Sequence, residues 1–214
     1  GTHIHHNVIH DVYSYDYGGW GLYTDEGSTG VIMENNLVYG CKSGAFHQHY
    51  GRENIIRNNI FAFGQYFQVQ FTKVEEHCSF TFSNNIILGD CGVMFAGPWD
   101  KANIDMKKNL YWDLRTDNPD FLDMKFKEWK KKRDKQSVLT DPLFINPQKG
   151  DFRFKSMKHA RKINFIPFDY TQAGVYGPKE WKEKAKMSEN DIKRFSTIIK
   201  EREKSYSSYY GSSK

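Results

Sequence analysis

Gly30-Val-Ile-Met-Glu-Asn-Asn-Leu-Val-Tyr39 and Asn54-Ile-Ile-Arg-Asn-Asn-Ile-Phe-Ala-Phe63 follow one pattern: a short β-branched run, an asparagine pair, then a second apolar run. An asparagine followed by two apolar residues recurs at Asn7, Asn36, Asn59, Asn85 and Asn109, in steps of 29, 23, 26 and 24 residues. A period of this size is one turn of a stacked solenoid, which buries its apolar side only against the turns above and below. The runs on either side of the pair alternate with period two, so they are strands. The Asn-Asn step between them is a bend, because asparagine tolerates left-handed backbone and bonds its own chain.

Each unit carries a further run: Gly21-Leu-Tyr-Thr-Asp-Glu26, Gly44-Ala-Phe-His-Gln-His49, Phe67-Gln-Val-Gln-Phe-Thr72 and Gly92-Val-Met-Phe-Ala96. Two or three strands of about 3 to 6 residues per coil are too short for a sandwich. The predicted fold is all-β: a right-handed parallel β-helix of about five coils, its asparagines stacked at one corner as an amide ladder, with a C-terminal cap and a helical tail. Three regions follow. Residues 1–118 are the coils, 119–177 a helical insertion and extended closure, and 178–214 a helical, partly disordered basic tail. The chain enters a coil in mid-stride at Gly1-Thr-His-Ile-His-His-Asn7, so an N-terminal part of the same polypeptide is expected to precede it and to pack against it.

The mean hydropathy of −0.74, with 27% charged residues, gives no membrane span. The net charge of +5 conceals an asymmetry: residues 1–118 carry 8 Lys and Arg against 13 Asp and Glu, and 119–214 carry 23 against 13. The basic run at 130–135 lies where a helix is expected and reads as a solvated face, so no nucleic-acid partner is predicted. Cys41, Cys78 and Cys91 lack metal-ligand spacing. Cys41 and Cys91 should be held apart by a whole coil, which leaves buried thiols as the expectation.

Beyond the coils, 120–135 carries Phe121, Met124, Phe126 and Trp129 among lysines, suiting a short amphipathic helix. Near the end, Ser188 is an N-cap followed by acidic residues, with Ile192, Phe195 and Ile199 on one helical face; fraying is expected past Lys204.

The run Asp134-Lys-Gln-Ser-Val-Leu-Thr-Asp-Pro-Leu-Phe144, with Gly150-Asp-Phe-Arg-Phe154 and Pro167-Phe-Asp-Tyr-Thr-Gln-Ala-Gly-Val-Tyr-Gly177, resembles the C-terminal closure of bacterial, pectate-lyase-like right-handed β-helix proteins. The likeness extends upstream through Asp16-Tyr-Gly-Gly-Trp-Gly-Leu-Tyr-Thr-Asp-Glu-Gly27 and Ser43-Gly-Ala-Phe-His-Gln-His-Tyr50. Met157-Lys-His-Ala-Arg-Lys-Ile-Asn-Phe165 departs from it by being more basic. The resemblance implies a carbohydrate-active protein, a carbohydrate substrate, and an extracellular or periplasmic location. The segment from Gly18 to Asp25 is also similar to one in β-helix lacto-N-biosidases; an aspartate of that pattern is Gly18 here, so only Asp25 corresponds.

The longest step, 29 residues, contains the aromatic, acidic and Gly-rich stretch around Tyr15 to Trp20, expected as a wall beside the next strand. Alignment of the Gly21 and Gly44 runs on their glycines would stack Thr24 near His47, Asp25 near Gln48 and Glu26 near His49. Asp25 and Glu26, with Asp16 as a possible partner carboxylate, are the candidate catalytic groups of a glycoside hydrolase. Neighbours on a flat strand point to opposite faces, so either the strand turns at Gly27 or one carboxylate pairs with Asp16. His47, His49, Trp20, Tyr23, Gln70, Arg52 and Lys73 are the candidate substrate-binding residues. The alternative reading of the carboxylates is that they cap the strand and bond the amides of the 27–30 turn.

His47 and His49 alternate in a way that could hold zinc, yet fit better as donors to a sugar, and no metal or other cofactor is predicted. A lyase or epimerase acting on uronates through Arg52 or Lys73 is the main enzymatic alternative. The acidic residues of the same stretch would repel an anionic polymer and favour a neutral glycoside. A non-catalytic glycan-binding or structural β-helix is the third reading.

Overall fold

The computed structural model describes residues 1–210, without the side chains of 198, 199 and 202–210. Each of the first four coils contributes one strand to each of three parallel faces, and the fifth contributes to the first two. The first face stacks His3–His5, Ile32–Glu34, Asn54–Arg57, Phe80–Ser83 and Ile104–Lys107. The second stacks Val8–His10, Leu37–Tyr39, Ile60–Ala62, Ile86–Gly89 and Leu110–Asp113, and continues into Val138–Leu139. The third stacks Leu22–Thr24, Phe46–Gln48, Val69–Phe71 and Phe95–Ala96.

The corner between the first two faces is made as the repeat predicts. One residue takes the left-handed conformation (His6, Asn35, Asn58, Asn84, Lys108 and Gln136 have φ of 55°, 56°, 52°, 57°, 55° and 63°), and the next side chain turns inward. There Asn36, Asn59, Asn85 and Asn109 are fully buried. The ladder has a direction. From Asn7 to Asn85 each backbone N–H and side-chain amide donates to the asparagine Oδ1 of the next coil, as Asn36 N and Nδ2 do to Asn59 Oδ1, both at 3.0 Å. From Asn36 to Asn109 each amide also reaches back to a carbonyl of the preceding coil, as Asn85 Nδ2 does to Ile56 O at 3.0 Å. Every polar atom in the dry corner thereby finds a partner.

Inside runs a file of aromatic rings, with Phe46, Phe61 and Phe82 stacking at 6.0 and 6.1 Å and Trp99 crossing Phe82 edge-on at 5.5 Å. The C-terminal end is plugged by a helix, Phe126–Lys132, whose buried Trp129 lies 4.7 Å from Phe95. The helix is shorter than the 120–135 predicted, because Leu122 and Asp123 are left-handed (57° and 60°) and form a turn instead.

The closing chain then folds back over the second face. Hairpin strands Phe144–Asn146 and Asp151–Phe154 place Phe144 and Phe152, and the 3-10 turn Ala160–Ile163 with the residues after it places Ile163 and Phe165, on Leu37, Ile60, Ile86 and Leu110. Asn58 fixes this cover by bonding both backbone groups of Ile166, at 2.7 and 2.8 Å. The first face presents ion pairs such as Arg57 with Glu34. The third face is thus left open, and the long loop 11–20 stands beside it.

The tail forms helices Lys179–Lys184 and Glu189–Tyr210. Phe195 stacks on Tyr13 at 4.9 Å, so the tail leans on the long loop. The Ile199 side chain and residues 211–214 lie outside the described residues. No helix among those described is long and apolar enough to cross a membrane. The three cysteines are free; burial pushes the Cys41 thiol up to about 12.

Candidate functional site

The third face pairs Leu22 with Phe46, Tyr23 with His47 and Thr24 with Gln48. This corrects the glycine-based alignment by one residue. Gly44 stands one position further from its strand than Gly21 does, so Gly21 lies level with Ala45, and inward-facing Leu22 and Phe46 set the register. The outward row is therefore Tyr23, His47, Gln70 and Ala96.

Trp20 covers this row from the loop. Its Nε1 donates to Gln70 Oε1 at 2.6 Å, and its ring lies 5.0 Å from Tyr23 at 27° and 4.4 Å from His47. Tyr23 and His47 stack at 5.0 Å and 24°. Burial drives the His47 pKa down to about 4, so the imidazole is neutral at pH 7. The loop is held by Lys42, which is buried; its ammonium donates to the carbonyls of Ser14 (3.0 Å) and Asp16. Ser43 Oγ donates to Gly18 O at 2.7 Å. Asp16 is exposed and joins the site through this backbone anchorage.

Strand Leu22–Thr24 ends in a turn, with Ser28 N–H donating to Asp25 O at 3.2 Å and Gly27 left-handed at φ 73°. Of the two arrangements open to neighbouring carboxylates, the strand turns. Asp25 and Glu26 both stand exposed at the end of the aromatic row. Asp25 accepts the Tyr23 hydroxyl at 2.9 Å. The Glu26 backbone N–H and then that hydroxyl hold its carboxyl below the usual range, and Tyr23 rises to about 12. Glu26 Oε1 lies 3.3 Å from His49 Nε2, and its other oxygen accepts Tyr50 O–H at 3.3 Å.

Lys73 is drawn aside, with its ammonium 4.0 Å over the Tyr50 ring. Arg52 is exposed in strand Gly51–Arg52, which pairs with Ser28–Thr29. Sequence reasoning missed Thr72, whose Oγ1 lies 3.1 Å from His47 Nε2 and 2.9 Å from His49 Nδ1. Glu75, one of the acidic groups expected along this stretch, accepts Gly51 N–H at 3.1 Å and lies 3.2 Å from His77. No group of three or more His, Cys, Asp or Glu side chains among the described residues could hold a metal.

The profile of a family described as "Right handed beta helix region" matches residues 1–108, just over half of the chain. The chain belongs to the right-handed β-helix family. No curated protein and no solved structure matches it. In this β-helix the matched stretch contains every residue of the site.

Gly21 is closely packed beneath it. A Cβ there would sit 2.2 Å from Val38 Cγ1 and 2.8 Å from Ala45 O. Gly21→Ala is expected to cost about 2 kcal/mol and to displace Trp20 from Gln70, read by urea denaturation and tryptophan fluorescence.

Proposed function

We propose that this protein is a glycoside hydrolase acting on a neutral oligo- or polysaccharide. One observation carries this reading: an open aromatic shelf, Trp20 over Tyr23, ends at two adjacent exposed carboxylates, Asp25 and Glu26. An aromatic face stacks on the apolar side of a pyranose, and paired carboxyls supply the acid and the base or nucleophile that glycosidic cleavage requires.

The depressed Asp25 carboxyl stays ionised and suits the base or nucleophile, leaving Glu26 as the acid. Gln70 and His49 are the polar groups along the shelf, with His47 buried beneath Trp20. Asp25, Glu26 and Glu75 give this end of the face a negative character that disfavours uronates. Lys73, engaged on Tyr50, is poorly placed to neutralise one.

The test is a pair of variants that keep the shape of the site. Asp25→Asn and Glu26→Gln should each lower kcat/KM on a cleaved oligosaccharide by about a hundredfold or more, with the thermal midpoint unchanged. Full activity in both variants would refute the assignment. Retained glycan binding by a wild-type protein that never cleaves would instead identify a binding module.

A further inference from the structure

Two imidazoles converge on one hydroxyl. Thr72 Oγ1 has a single proton and two lone pairs. Three atoms surround it: His49 O at 3.2 Å, His49 Nδ1 at 2.9 Å and His47 Nε2 at 3.1 Å. The carbonyl oxygen can only accept, so the hydroxyl proton goes there and both lone pairs are left to receive imidazole N–H groups.

His47 is fully buried and its Nδ1 has no partner. An Nε2–H tautomer leaves a bare acceptor at Nδ1, whereas the other tautomer would strand a buried donor, the rarer and costlier case. His49 is then the Nδ1–H form by the same accounting. Its other nitrogen, Nε2, is the one facing Glu26 at 3.3 Å. If neither group held a proton there, lone pair would face lone pair.

We propose that Thr72 is a positioning residue that locks His49 as the Nδ1–H tautomer, so that His49 Nε2 and Glu26 share one proton, the proton donated in the reaction. The inference rests on the glycoside-hydrolase reading. In the step, that proton passes to the glycosidic oxygen as its bond to the anomeric carbon breaks. The ionised Asp25 attacks that carbon or deprotonates the water that does. A water molecule supplies the hydroxyl of the product, and its proton restores the Glu26–His49 pair, directly when that pair acts as the base on the water, or by exchange from Asp25 through solvent when Asp25 does.

The groups facing His49 are Glu26, Asp25, whose charge acts on it from the same turn, Tyr50 at 5.3 Å, and neutral His47 at 6.4 Å. Lys73 of the next coil donates its backbone N–H to His49 O at 3.1 Å, with its ammonium turned to Tyr50.

The test is imidazole 15N NMR on the full chain labelled at histidine, titrated from pH 5 to 8, for wild type, Thr72→Val and Thr72→Ser. Wild type and Thr72→Ser should keep His49 Nδ1 protonated throughout, with only Nε2 changing. Thr72→Val should show mixed tautomers. On a cleaved glycan, Thr72→Val should lose about tenfold in kcat/KM with a displaced pH profile, and Thr72→Ser should recover it. A wild-type His49 that is mainly Nε2–H when neutral, or a Thr72→Val protein with unchanged tautomer and profile, overturns the proposal. Absence of hydrolysis on every glycan overturns the functional reading instead, while the spectra still decide the tautomer.

Discussion

Replacing Asn59 by alanine is expected to destabilise the protein by roughly 3 to 6 kcal/mol, a large fraction of the stability of an ordinary domain. The side chain is fully buried and serves three coils at once. Its Oδ1 accepts from Asn36 N and Nδ2, both at 3.0 Å, and its Nδ2 donates to Asn85 Oδ1 at 3.1 Å and to Met33 O at 2.9 Å. Alanine leaves these groups unpaired, in a corner too close-packed to admit water for all of them. Buried groups that lose a partner bear the whole desolvation penalty.

Asn35, which precedes the ladder residue Asn36, has the left-handed backbone but is not itself in the ladder, its side chain accepting from Asn58 Nδ2 at 2.7 Å. Asn35→Ala should therefore cost only about 1 to 2 kcal/mol. Urea denaturation followed by circular dichroism compares the two; equal midpoints would mean that the ladder is ornament.

The second large effect lies where the ladder ends. Its donors point toward the C-terminus, so the last coil needs a group that only accepts, and Asp134 provides it. The fully buried carboxylate accepts from Ser137 Oγ at 2.5 Å, Tyr111 O–H at 2.5 Å and Asn109 Nδ2 at 3.2 Å. Burial nevertheless raises its pKa to about 6, against about 3.9 for an unfolded aspartate.

Between those values the folded chain holds a proton that the unfolded chain has lost. For this group stability therefore rises as pH falls through 6 and levels off below about 4, by up to about 3 kcal/mol. The carboxyls held low in the folded state, Glu34 and Asp151 among them, act in the opposite direction, and their contribution is lost at lower pH, below the unfolded value. His47, held neutral by burial down to about 4, also acts the opposite way to Asp134 and loses stability as pH falls below about 6.5. The Asp134 contribution is therefore read as the difference between wild type and Asp134→Asn, which should shift in favour of wild type by about 2 kcal/mol between pH 7.5 and pH 4.5. Asp134→Ala, which strands three donors, should lose roughly 3 to 5 kcal/mol at any pH. A wild-type pH dependence identical to that of Asp134→Asn would contradict the raised pKa.

The scaffold was legible because a solenoid writes its period into the chain: each coil meets the same corner, so asparagine recurs wherever a left-handed step precedes an inward amide. The long loop was legible for the opposite reason, as the interval that breaks the period, with five more residues between Val8–His10 and Leu22–Thr24 than between Leu37–Tyr39 and Phe46–Gln48. The third-face register was not. Glycine marks an approach to a strand rather than a stacked position, and Gly44 is followed by the extra Ala45. Thr72 was invisible for a related reason, since its meaning comes from two histidines one coil away, which meet it only in the true register. Asp134 lay in a segment that reads as a basic helix, and only the direction of the ladder explains an aspartate there.

The functional claim meets its most direct test in the chemistry of the product. The protein is incubated with neutral oligosaccharides and, separately, with uronate polymers, and the mixtures are followed for new reducing ends and for the ultraviolet absorbance of an unsaturated sugar. Hydrolysis at Asp25 and Glu26 predicts reducing ends from a neutral glycan with no absorbance change, abolished in Asp25→Asn. An unsaturated product from a uronate, or reducing ends undiminished in Asp25→Asn, would contradict it.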